Sequence, residues 1–241
     1  MGEPKRFAGW INPLKFFALD QPFPSDSPIP SAEAFLDFLS TPGVPADAGS
    51  MASRYREIAR EPVALFVAPA ERRILEKLVW PLRHAKAAYM VGSYLSTIAL
   101  SGMVAEMVAM LLFDTAGASI GNRPLSPKDQ EALFGREFEK LDQYRRVEVL
   151  RLYGIIDDAT KSAFDAIRTT RKKYLHLWSQ EQAQIASDAV RVYHSAIFLV
   201  VRAIGQDVKD GAFLLNPALV QYLERAGVCK APTESPEDSS S

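Results

Sequence analysis

The sequence predicts an all-α fold, a helical bundle with a proline-rich and mostly irregular N-terminal arm. Apolar residues recur at steps of three and four through several long segments after about residue 70, which is the spacing of one face of a helix. Short runs rich in glycine, proline and asparagine separate these segments and mark their connections. Prolines are dense before residue 50, where they forbid long helices.

We divide the chain into three parts. Residues 1–69 are expected to form a proline- and aromatic-rich arm with short helices, residues 70–228 the bundle, and residues 229–241 a polar, disordered tail. The arm is too aromatic for a typical disordered segment, so we expect it to pack on the bundle or on a partner protein. Residues 62–69 (PVALFVAP) are either a strand or a buried connector, because so short a run has no decisive periodicity.

Caps and breakers set the expected helix boundaries. Pro81 ends or kinks one helix, Ser126 followed by Pro127 starts another, and Gly154 and Gly205 end two more. The predicted helical segments are, in order, 32–39, 51–60, 70–80, 82–113, from 127 to about 144, on to about 153 as the same or a separate helix, 157–178, 179–204 and 218–226.

Composition excludes several classes of function. The chain has 241 residues and a net charge of −1, so no overall basic field draws it to nucleic acid, and any such contact must be local. Its one cysteine, Cys229, allows no internal disulfide or cysteine metal cluster, which fits a reducing cytoplasm. His84 and His194 have no metal-ligand spacing. We predict a cytoplasmic protein with no metal, no cofactor and no signal peptide.

One segment challenges the prediction of a soluble protein. Ala87–Ala105 is 19 residues without a charge, long enough to span a bilayer. It also contains serines, a threonine and tyrosines, and it continues without a break through Glu106. We therefore predict a buried central helix and no membrane association. Its small residues would let a neighbouring helix approach closely: Gly92, Ser96, Ala99 and Gly102.

The helix predicted over Asp157–Trp178 carries the one cluster of side chains that could take part in a chemical reaction. On a helical wheel Arg168, Lys172 and His176 fall on its polar flank, whereas Arg171 lies beside the apolar stripe. An arginine in that position needs a partner, because a buried unpaired charge is costly. The partner is either a carboxylate or helix carbonyls of this chain, or a second subunit or a phosphate.

The string from Arg171 to His176 (RKKYLH) has the form Arg-x4-His, and a long apolar helix follows it. This arrangement resembles the HEPN superfamily of small all-α domains, whose motif is an arginine followed after four to six residues by a histidine. The segment 85–113, with its small residues and internal Glu106, is similar to the family's early core helix. The resemblance covers about residues 77–205. Lys172 departs from the family, since many members carry a polar residue there, usually asparagine.

If the motif is active, the resemblance implies a metal-independent ribonuclease in which two subunits pair around a shared cleft. His176 would take the proton from a 2′-hydroxyl, and Arg171 would hold the phosphate through two parallel hydrogen bonds. Arg168, Lys172 and Lys173 would bind the RNA backbone. Arg171 and His176 lie roughly 140° apart on an unbroken helix. They converge only if the helix breaks near a supporting residue, Tyr174, or if a second chain contributes.

The same residues allow a structural interpretation. A histidine at a helix end is commonly a cap or a surface residue, and cations in a last turn complement the helix dipole. Glu106 in an apolar helix must be paired or neutral, and its plainest role is to support Arg171 or another buried base.

Two functional expectations follow. The first is a HEPN-like RNA-binding protein or endoribonuclease acting as a homodimer, with a defence or stress context that only the resemblance implies. The second is a non-catalytic HEPN-like protein-interaction module in which the arginine and histidine are structural and the N-terminal arm recruits a partner. Lys172 and the near-neutral net charge favour the second.

Overall fold

The computed structural model describes residues 31–32, 36, 39–41, 43–60, 72–120, 123–175, 183–205, 207–209, 212–214 and 216–225. The α-helices longer than one turn within these ranges are α1 (Ala48–Ile58), α2 (Arg72–Met90), α3 (Tyr94–Ala116), α4 (Pro127–Phe134), α5 (Gln143–Leu152), α6 (Asp158–Leu175), α7 (Ile185–Ile204) and α8 (Pro217–Arg225). Two short antiparallel hairpins join them, β1 (Ser119–Ile120) with β2 (Arg123–Pro124), and β3 (Asp207–Lys209) with β4 (Ala212–Leu214). The prediction of an all-α fold is confirmed.

Helix α3 lies at the centre of the bundle and packs against α2, α6 and α7. Its inward side chains, such as Ile98, Val104 and Val108, are completely buried. Helix α7 is the second central helix, and its apolar stripe is equally buried at Val192 and Leu199. The predicted central position of both helices is therefore confirmed, and their burial supplies the main hydrophobic stabilisation of the fold.

The prediction of one continuous helix over residues 82–113 is wrong, because the helix is interrupted at residues 91–93. Pro81 lies inside α2 and does not end it. The break occurs at Gly92, which has a φ of +83° that only glycine adopts easily. The main-chain carbonyl of Gly92 accepts hydrogen bonds from the main-chain N–H of Thr41 and from its hydroxyl, at 3.0 and 2.6 Å. A Cβ at Gly92 would also lie 2.7 Å from Val44.

The segment that precedes the bundle therefore supplies hydrogen-bond donors to the C-terminal end of α2. Arg54, on α1, donates from Nε to the main-chain carbonyl of Met90 at 2.7 Å, and its side chain is buried. Together with Thr41 it satisfies carbonyls at the end of α2 that have no partner within the helix.

The region between α3 and α6 also differs from the prediction. Ser126 caps α4 with a complete capping box, as its sequence indicated. The helix does not continue to residue 144, because Gly135 ends it in a left-handed conformation with φ +79°. A 3-10 turn (Phe138–Lys140) follows, and Asp142 then caps a separate helix, α5.

The remaining boundaries follow local capping chemistry. Asp157 caps α6 through a hydrogen bond from the main-chain N–H of Thr160 to Oδ1, at 2.8 Å. Gly154 and Gly205 both have positive φ at the ends of α5 and α7, as predicted. Helix α7 begins at Ile185 and not at residue 179.

Several predictions lie outside the described residues, namely the arm before residue 31, the run 62–69, the N-terminal cap at Ser179 and the tail 229–241. Among the described helices, α3 is long and apolar enough to cross a membrane, with a mean hydropathy of 1.8 over 18 residues, of which 56% are buried. One helix of this kind is weak evidence, since the core helix of a soluble protein has the same properties.

Candidate functional site

The predicted site lies in the last two turns of α6, where they cross α3. Arg171 extends across α3 and donates from Nη1 to Oε1 of Glu106, 2.5 Å away and 65 positions earlier in the chain. Gly102 makes this path possible, because a Cβ at that position would lie 2.0 Å from Cδ of Arg171. The close approach expected at Gly102 is thus made by one arginine side chain.

The charge of Arg171 is neutralised by this chain. Its side chain is 32% exposed and that of Glu106 is 42% exposed, so the ion pair lies at the surface of the helix crossing. Coulomb attraction at such a site is weakened by solvent, and a pair of this kind contributes about 0.2–1 kcal/mol. The buried Nε of Arg171 has no hydrogen-bond partner among the described residues. The helical-wheel argument that Arg171 needs a partner is confirmed, and the partner is a carboxylate within the fold.

Arg168 and Lys161 face α5 through a chain of alternating charges. Arg168 donates from Nη2 to Asp165 at 3.0 Å, and its guanidinium lies 5.2 Å from the centre of the Tyr144 ring. Lys161 contacts both Asp165 and Glu148, at 2.9 and 2.8 Å. Burial alone would raise the pKa of Asp165, but its hydrogen bonds from Lys161 and Arg168 lower that pKa overall.

A buried aspartate holds the end of the motif helix. Asp188, on α7, is 6% exposed and accepts from the Tyr174 hydroxyl at 2.7 Å, from Lys173 at 3.3 Å and from Arg191 at 2.6 Å. Burial would raise the pKa of Asp188, but the bonds from Tyr174 and Lys173 and the charge of Arg191 lower it below its ordinary value of 3.8. Burial, followed by the bond to Asp188, raises the pKa of Tyr174.

Asp188 was not among the residues predicted for the site. One signal could have identified it, because it lies three residues after Ile185 and four before Val192, on the apolar stripe of α7. An acid on such a stripe requires partners, by the same argument that applied to Arg171. The Tyr174 hydroxyl joins α6 to α7 through its hydrogen bond to Asp188.

The predicted catalytic pair is only half described. His176 lies outside the described residues, which stop at Leu175 and resume at residue 183. Lys172 is exposed and has no ion pair with the described part of the chain. Of the predicted phosphate-binding cations, Arg168 and Lys173 are paired with acids of this chain. The charges of Arg168 and Lys173 are thus neutralised by acids of this chain, whereas the Lys172 side chain is exposed to solvent.

Within the described ranges, no group of three or more histidine, cysteine, aspartate or glutamate side chains is arranged to hold a metal ion. The acids of the site join α6 to its neighbours, and each of the helices α3, α5 and α7 contributes one carboxylate. Glu106 of α3 binds Arg171, Asp188 of α7 binds Tyr174, and Glu148 of α5 binds Lys161.

No protein-family model, curated protein or solved structure matches the chain.

Proposed function

We propose that the chain is a non-catalytic, HEPN-like helical module for protein interaction, in which the arginine of the motif is structural. The observation that supports it best is the ion pair of Arg171 with Glu106 across Gly102. A guanidinium that clamps a phosphate needs its two parallel donors free, and here Nη1 is already bound to a carboxylate. Paired cations at Arg168 and Lys173 add to this support.

The outward face of α3 is the surface that we assign to a partner. Leu95 and Met103 are each 42% exposed, and Met107 and Met110 beside them are only partly buried. The Arg171–Glu106 pair lies on the same face, since Glu106 follows Met103 by one helical turn. An exposed apolar stripe of flexible methionines around a neutral ion pair is typical of a protein-contact surface. The N-terminal arm is a second route to a partner.

A comparison of stability with RNA cleavage tests this proposal. In the structural interpretation, Arg171→Ala lowers the free energy of unfolding by about 1 kcal/mol, since it removes both the ion pair with Glu106 and the packing of the arginine stem over Gly102. Neither the wild type nor the variant then cleaves RNA. Met103→Ser is the control for the α3 face, because it removes apolar surface without touching the pair. Cleavage by wild type that is lost in Arg171→Ala at an unchanged melting temperature would refute the structural role.

A metal-independent endoribonuclease that acts as a dimer is the second candidate, and one observation favours it. The Arg171–Glu106 pair is partly exposed, and Lys172 is exposed on the next residue, so an RNA phosphate has access to both cations. A phosphate could displace Glu106 and take both guanidinium donors. In that case Lys172→Glu should weaken RNA binding and reduce its salt dependence by about one phosphate contact. Arg56→Glu, on α1, is the matched control.

A further inference from the structure

A cluster of exposed apolar side chains lies on α4 and α5. Leu152 is 83% exposed, Leu133 53% and Tyr144 51%. They border a shallow groove whose other lining residues include Phe134, Leu141 and Tyr153. Apolar side chains that are exposed around one groove are a feature of protein-contact surfaces.

The lining formed by α5 and by Leu141, two residues before it, is symmetric in sequence about the peptide bond between Arg146 and Val147. Leu141 and Leu152 are equally distant from that bond in sequence, as are Tyr144 and Val149, and Arg145 and Glu148. All six line the groove. Each apolar position is matched by an apolar one, and the positive charge is matched by the negative one.

We propose that this groove is a self-association surface, in which α5 packs antiparallel against α5 of a second copy around a two-fold axis. A two-fold contact pairs residue i of one copy with residue j of the other, and j with i. An axis beside the Arg146–Val147 peptide bond places each exposed Leu152 over the partner's buried Leu141, and each Tyr144 beside the partner's Val149. Within α5, Arg145, Glu148 and Leu152 are separated by steps of three and four residues, so they lie on one face of the helix.

Charge complementarity selects a second copy over an unrelated partner. The same axis places Arg145 of each copy next to Glu148 of the other, which gives two ion pairs of opposite direction. The Arg145 side chain is 62% exposed, and within the described part of the chain its ion pair is a 3.9 Å contact with Asp142. Glu148 binds Lys161 through Oε1, at 2.8 Å, and its second oxygen can accept from the partner. Both ion pairs are therefore compatible with the contacts within each copy.

Helix α5 has ten residues, about 15 Å long, so the contact is small and the association weak. It does not depend on whether Arg171 is structural or catalytic, because it uses a different surface. We expect a reversible monomer–dimer equilibrium that sedimentation velocity detects over about a hundredfold range of protein concentration. A wild-type protein that stays monomeric throughout that range would overturn the proposal.

Charge reversal tests the geometry. Arg145→Glu places two acids opposite each other in both ion pairs, and Glu148→Arg places two bases there. Each variant should dimerise at least about tenfold more weakly than wild type. The double variant Arg145→Glu/Glu148→Arg should dimerise again. An equimolar mixture of the two single variants should form heterodimers, because every pair across the axis is then of opposite charge.

Two further variants separate folding from association. Leu152→Ser changes a side chain that is almost fully exposed, so it should leave the melting temperature unchanged and still weaken the dimer. Arg56→Glu makes the same charge change as Arg145→Glu on α1 and should associate like wild type. Single charge variants that dimerise like wild type, or a mixture that shows no preference for heterodimers, would exclude the antiparallel α5 contact.

Discussion

Gly102→Ala tests the crossing of Arg171 over α3 more directly than removal of the arginine. The added Cβ would lie 2.0 Å from Cδ, 2.3 Å from Nε and 2.8 Å from Cζ of Arg171. These distances are far below van der Waals contact, so the side chain must leave its path and release Glu106. Overpacking of this kind costs about 1–3 kcal/mol. Alanine is favoured over glycine inside a helix by about 1 kcal/mol, which offsets part of that cost.

The net effect expected in wild type is a loss of about 0–2 kcal/mol in the free energy of unfolding, measured with urea. In an Arg171→Ala background the obstacle is gone, so the same Gly102→Ala change should stabilise the protein by about 1 kcal/mol. The two changes should therefore couple by about 1 kcal/mol or more. If Gly102→Ala stabilises both backgrounds equally, Arg171 does not lie over Gly102, and the structural role proposed for it is wrong.

Three further predictions concern residues that hold the helix ends. Tyr174→Phe should lower the free energy of unfolding by about 1–3 kcal/mol, since it leaves a buried carboxylate oxygen of Asp188 with one donor fewer; Tyr55→Phe, at an exposed position, is the control, and equal melting temperatures would contradict it. Asp188→Asn should destabilise most at neutral pH. Because the pKa of Asp188 in the folded state is lowered, its contribution is complete above the ordinary value of 3.8 and is lost as the pH falls through the folded pKa, so the gap between wild type and variant should narrow below pH 3.8. A stability difference between wild type and variant that grows in acid would show that burial raises the pKa of Asp188 more than its hydrogen bonds lower it. Gly92→Ala should destabilise by about 1 kcal/mol or more, because its φ is +83° and Val44 lies 2.7 Å from the new Cβ; Gly117→Ala, with positive φ but no neighbour within 4 Å, measures the backbone part of that cost alone.

The position of Arg171 was predictable because a helical wheel depends only on spacing. It placed the arginine beside the apolar stripe, and an acid in a helix as apolar as α3 has the same need for a partner. Both residues were therefore known to require an opposite charge. The crossing that joins them depends on packing between helices 65 positions apart, and no local pattern specifies that.

The break between α2 and α3 shows why boundaries were harder. Pro81 and Gly92 both weaken a helix, and the prediction placed the boundary at the proline. The glycine is the true boundary, because the hydrogen bonds that Thr41 donates to its carbonyl stabilise the turn from about fifty positions away. The predicted end of α4 was wrong for a related reason, because Gly135, which ends the helix, was not recognised as a C-terminal cap.

The contacts that Thr41 and Arg54 make with the end of α2 bear on how the protein can be shortened. A fragment that starts at residue 70 would contain α2 to α8, yet it would lose the donors for the carbonyls of Met90 and Gly92 and expose the side of α2 that α1 covers. Expression trials should therefore trim the N-terminus no further than about residue 39, and a protease that cuts between residues 60 and 72 should leave two pieces that stay together until denaturant separates them.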